Sequence, residues 1–159
     1  MKTIAALLFA AIYTTGAYAT CFSDSPIELA KNLHDKHREF YQKPSADARQ
    51  LIHSSFLKAV DHEDRCREKD DTCTLDADPW DDAQDGAAKP PFEYQVLHLT
   101  PTASTVRFNF RFTVDDKHYS PRHATLKFKR EGAGNCWKVD DLITNSGLSL
   151  HDTFKNRKP

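Results

Sequence analysis

The sequence predicts an α+β domain, N-terminal helices packed on a curved four-stranded antiparallel sheet, and three features carry that prediction. Val106, Phe108, Phe110, Phe112 and Val114 alternate with Arg107, Asn109, Arg111 and Thr113, a period of two that sets the large apolar side chains on one sheet face. Upstream, between Leu29 and Val60, apolar residues recur instead at helical spacing. Helices that precede a run of strands cover the apolar face of an antiparallel sheet, because each needs the other to bury its apolar side.

Residues 1–19 read as a signal peptide. Met1-Lys2-Thr3 is a positive n-region, Ile4 to Tyr13 an apolar h-region, and Ala17-Tyr18-Ala19 a small-x-small cleavage pattern. The exported domain is then 20–159. A lipoprotein reading of Cys21 lacks the aliphatic and small residues expected before a lipidated cysteine. No later apolar run approaches the roughly 20 residues that a membrane helix needs, so no membrane span is expected.

The elements follow in order. Ser25 is a helix N-cap, Pro26 occupies the first helical position and Glu28 completes a capping box. Leu29, Leu33 and Phe40 extend this helix to Tyr41, where Lys43-Pro44 breaks it. Ser45 caps a second helix whose stripe is Ala48, Leu51, Ile52, Phe56, Leu57, Ala59 and Val60. From Asp61 to Lys89 the composition turns acidic and small, as in a functional loop. Phe92 to Thr100 reads as the first strand and Val106 to Val114 as the second. Ala124, Leu126 and Phe128 mark the third, and Cys136 to Ile143 the fourth, with turns at Asp115-Asp116 and Gly132-Ala133-Gly134-Asn135. Ser149, or the Asn145-Ser146-Gly147 turn before it, starts a short helix through Phe154.

The four cysteines suit an exported, disulfide-bonded chain. Cys66 and Cys73 lie close together in a turn-prone stretch, which favours a local bridge and leaves Cys21 to join Cys136. A four-cysteine zinc site needs two close pairs, and only one is present. The balance of 22 Lys plus Arg against 23 Asp plus Glu, a formal charge of −1, disfavours nucleic acid as a partner.

The acidic loop supplies the candidate partner-binding residues Asp76, Asp78, Trp80, Asp81, Asp82 and Asp85. A stapled, acidic, Trp-bearing loop offers an aromatic anchor within negative charge, complementary to a basic partner. A calcium site would use the same oxygens but lacks the Gly and distal Glu of an EF-hand loop. In a structural reading, Asp78-Pro79 begins a turn and Asp85 accepts hydrogen bonds from backbone amides.

Among the eight histidines, His34 and His37 share a helix face and His53 and His62 lie on or near the second helix. No ligand motif fixes a zinc geometry among them, and neither a metal nor a cofactor is expected. No zincin motif, nucleophile elbow or phosphate-binding loop occurs. Asp141 is the best candidate for acid–base work, since alternation places it on the face of Trp137 and Val139, although a turn-capping role accounts for it more simply. Asp140, on the other face, is expected to pair with Arg107 or Arg111. Arg107, Arg111, Lys127 and Lys129 form a basic outer sheet face, either solvated or a second contact surface. No catalytic residue is assigned, and a non-enzymatic protein is expected.

Trp137-Lys138-Val139-Asp140-Asp141-Leu142-Ile143, between Cys136 and Asn145-Ser146-Gly147, resembles the final strand of the YbjP/YqhG-type family of small bacterial periplasmic proteins. The resemblance extends to Val106 to Val114, Thr125 to Arg130, Asp78-Pro79 with Gln84-Asp85, and Phe40-Tyr41. It implies a cystatin-like or nuclear-transport-factor-2-like cone, a periplasmic location and no established catalytic residues. By analogy of fold and compartment, the expected function is that of an immunity or inhibitor protein neutralising a periplasmic toxin, such as a type VI secretion effector that attacks the cell wall. The alternatives are a small-ligand or weakly catalytic cone-pocket protein, and an envelope-assembly factor.

Overall fold

A computed structural model describes residues 21–70 and 73–157; the expected signal peptide, 1–19, lies outside the described residues. The elements are α1 (Pro26–Lys36), α2 (Ala46–Leu51), α3 (Ser54–Arg67), β1 (Ala87–Leu99), β2 (Ala103–Thr113), β3 (Ser120–Glu131), β4 (Cys136–Ile143) and α4 (Leu150–Asn156). The strands form one open antiparallel sheet in the order β1-β2-β3-β4. Among the described residues no helix is long and apolar enough to cross a membrane.

Ser25 caps α1 by accepting from the Glu28 amide at 3.4 Å. The Glu28 carboxylate turns instead to Lys31 at 3.0 Å, so only half of the expected capping box forms. The helix also stops short of Tyr41. In a continued helix the Arg38 carbonyl would accept the Gln42 N–H; here it accepts the Trp80 indole N–H at 2.8 Å, and Gln42 donates to Glu39. The segment after α1 therefore winds into tight turns that bury Phe40 and Tyr41.

The expected second helix is two. Ile52 makes a parallel bridge with Val139, and the His53 N–H donates to the Val139 carbonyl at 2.8 Å, so these residues extend along the free edge of β4. His53 then caps α3 through Nδ1, which accepts from the Ser55 amide. Helical bonds are exchanged here for a tertiary bond, which the apolar stripe does not reveal.

The core lies between the helices and the inner sheet face, where Val106, Phe108, Phe110 and Phe112 meet Leu29, Leu33, Phe56 and Val60. Val114, expected to join them, lies past the end of β2 and is 71% exposed. In α4, capped by Ser149, the buried Leu150 and Phe154 close the core, with Phe154 stacked on Phe56. Disulfides join Cys21 to Cys136 and Cys66 to Cys73. All four thiols are therefore used.

Candidate functional site

The acidic loop is built inward. The Asp78 N–H donates to Ala83 O and the Asp82 N–H to Asp78 O, while Asp78 Oδ1 accepts from the Trp80 amide at 2.9 Å. This Asx-type turn places Asp78 and Asp81 around the Arg38 guanidinium at 2.8 and 2.6 Å. Burial disfavours the Arg38 charge, but the two carboxylates outweigh it and raise its pKa. Arg38 also bonds His34 Nε2 at 3.0 Å. An arginine has only donors, so His34 Nε2 is the acceptor and Nδ1 carries the proton that reaches Asp35.

Trp80 is fully buried, 0% exposed, and its ring meets His34, Phe40 and Phe108 edge to face. The partner anchor expected at Trp80 is therefore corrected: the indole is a core side chain whose N–H is satisfied by the Arg38 carbonyl. Asp82 Oδ2 accepts the Ser146 N–H at 2.7 Å, and Arg122 donates to the Asp81 and Asp82 carbonyls while lying over Phe112. Asp76, Gln84 and Asp85 are exposed. Asp85 makes none of the backbone hydrogen bonds expected of it; Asp78 and Asp82 organise the loop instead.

Asp140 and Asp141 part company at a bulge. Phe128 pairs with Val139 but Lys127 pairs with Asp141, so Asp140 is the extra residue and the side-chain phase reverses after it. Asp141 consequently shares the face of Lys127, not that of Trp137 and Val139 as alternation predicts. It accepts from the Ser149 hydroxyl at 2.7 Å and the His151 amide at 3.0 Å, fixing the start of α4. Burial nevertheless raises its pKa.

Asp140 pairs with neither Arg107 nor Arg111. It takes Ser55 Oγ at 2.6 Å and Lys129 Nζ at 2.8 Å. Burial acts to raise its pKa, but these bonds and the charges of Lys129 and His53 prevail and lower it. Arg111 instead donates to the Pro90 carbonyl, with its guanidinium over Tyr119. His53, Ser55 and Asp140 are close together: Ser55 Oγ lies 2.6 Å from Asp140 Oδ1 and 2.7 Å from His53 Nδ1, and the Ser55 amide donates to the same ring nitrogen. The cluster ties α3 to β4.

Trp137 is buried, donates to the Asp24 carbonyl at 3.0 Å and lies beneath Arg130. The histidines engage separate partners: His34 the loop, His53 the cluster at β4 and His62 the Phe154 carbonyl, while His37 ends α1. Among the described residues no group of three or more His, Cys, Asp or Glu is placed to hold a metal ion. Sequence reasoning missed Arg38 and the fully buried Glu63, which pairs with Arg157 at 2.7 Å. The signal for Glu63 was present, because it continues the spacing of Phe56, Ala59 and Val60.

With the acidic loop turned inward, an open feature that remains is β1. Among the described residues it is a sheet edge of 13 residues paired only with β2, and it carries Phe92, Leu97 and Leu99 at 45%, 42% and 59% exposure. Pro90 and Pro91 remove two donors, and the pairing with β2 shifts register between Lys89 and Glu93 and again between Val96 and His98; the stretch from Phe92 to Leu99 follows the prolines on this open edge. The opposite edge, β4, is met at Val139 by Ile52-His53. No known protein family, curated protein or solved structure matches this chain.

Proposed function

We propose that the protein is a non-enzymatic, periplasmic immunity or inhibitor protein that occludes a toxin by adding a partner segment to the edge of β1. The open, apolar edge from Phe92 to Leu99 carries this reading. A long edge strand presents unpaired backbone groups to any extended segment. Exposed leucines beside that edge supply the apolar contact that backbone pairing alone lacks. The acidic loop then acts as a buttress for α1 and the sheet. Two disulfides suit an oxidising compartment and keep the surface rigid, which limits the entropy lost on binding. A cone of the cystatin-like or nuclear-transport-factor-2-like type, and membership of the YbjP/YqhG-type family, belong to the same proposal.

The test is inhibition. Envelope proteins retained by the wild-type chain are purified, and their hydrolytic activity is titrated with wild type and with a Leu97→Lys, Leu99→Lys double variant. Both positions are exposed, so the variant keeps the core. The expected result is stoichiometric inhibition by wild type, weakened about tenfold or more in the variant. Equal inhibition by both, or retention of a protein whose activity is unaffected, overturns the reading.

A further inference from the structure

A groove of about 500 Å³ runs between α3, α4 and the end of β3, and the charges lining it have one sign. From α3 come Lys58, His62 and Arg65, which helical spacing sets on one face. Lys155 joins them from α4. No carboxylate is among the lining residues. In a chain of net charge −1, such a concentration does not follow from overall composition.

The cations are also uncompensated. Among the described residues the side chains of Lys58, Arg65 and Lys155 have no ion-pair or hydrogen-bond partner. Lys129, at the sheet end of the groove, is already paired with Asp140, whose other oxygen accepts from Ser55; both oxygens of that carboxylate are thus engaged. His62 Nδ1 donates to the Phe154 carbonyl and His151 Nδ1 to the Asp140 carbonyl. Each ring therefore keeps Nε2 as its free polar atom. Like charges gathered without a counter-ion repel one another, and an anion that bridges them relieves the repulsion.

We propose that this groove binds a small polyanion carrying two or more phosphoryl or carboxylate groups in a row. The volume is that of a small-molecule site. Lys58 and Arg65 are separated by about 10 Å along the helix axis, at the usual rise per residue, more than one oxyanion group spans. Lysines serve such a ligand as point charges, and Arg65 as a two-pronged donor. The inference is independent of the role of β1, on the far side of the sheet order.

Calorimetric titration of the disulfide-bonded protein with tripolyphosphate, and separately with citrate, at constant ionic strength tests it. The variants are Lys58→Glu, Lys155→Glu and, for an equal charge change elsewhere, Lys117→Glu in the β2–β3 turn. All three lysines are exposed, and their side chains hold no element in place. Saturable binding of at least one probe is expected, weakened about tenfold or more by either groove variant and unchanged by Lys117→Glu. Preference for tripolyphosphate assigns a phosphoryl ligand, and preference for citrate a carboxylate one. Absence of binding by both probes at about 10 mM, or equal loss in all three variants, overturns the proposal.

Discussion

Asp140 and Asp141 are adjacent carboxylates whose folded environments act in opposite directions. Asp140 is held below its ordinary range by Lys129, Ser55 and His53, so the folded state favours its ionised form. The stability it contributes is present above its unfolded pKa and is lost as pH falls through the folded value. Asp141 is raised by burial, so folding favours its proton and its ionisation costs stability as pH rises through the folded value. Denaturant unfolding of Asp140→Asn should therefore show a larger loss relative to wild type at pH 7 than at pH 3. For Asp141→Asn the loss should shrink over the same rise. Parallel pH trends in the two variants would contradict the separate environments described here. Neither outcome was legible in the sequence, where the pair reads only as a simple alternation. The bulge that separates them is set by a partner strand and by α4. The acidic loop shows the same limit: its charge was plain, but the cation that turns it inward, Arg38, lies 40 positions away from Asp78.

At the scale of elements, legibility follows the locality of the bonds. Alternation in β2 and the caps Ser25, Ser45 and Ser149 are local patterns, and each marks its element in the structure. The break at Ile52-His53 is not local, since it depends on the free edge of β4. The approach to β1 is a further case. Gly86 has φ +106°, and a Cβ there would meet the Phe112 ring at 2.5 Å and the Thr113 carbonyl at 2.6 Å. A side chain would be strained by the backbone and would also displace the ring that carries Arg122, on which the acidic loop rests. Gly86→Ala is expected to cost about 1–3 kcal/mol, read from the urea midpoint. Gly132→Ala, also at positive φ but in open space, should cost less. The reverse ranking would show that the close approach at Gly86 is not a constraint.

In the whole molecule, the two disulfides act on very different lengths of chain. Cys21–Cys136 closes a separation of 115 residues and Cys66–Cys73 one of 7. If both act chiefly by restricting the unfolded chain, loop entropy assigns about 5 kcal/mol to the first and about 2.5 kcal/mol to the second. Their folded surroundings enlarge the difference. The long bridge brings the N-terminal segment to β4, where Trp137 donates to the Asp24 carbonyl. The short bridge closes a loop that Arg157 already holds through the Cys73 carbonyl and Glu63. A Cys21→Ser, Cys136→Ser double variant should therefore lose more stability in denaturant unfolding than Cys66→Ser, Cys73→Ser, by about 2 kcal/mol or more. Near-UV circular dichroism from Trp137 should change in the first and persist in the second. Equal losses would mean that the N-terminal segment docks by its side chains alone. The larger loss for the long bridge would tie the fold to an oxidising compartment, because the contact joining the N-terminal segment to β4 would then depend on a bond that a reducing environment removes.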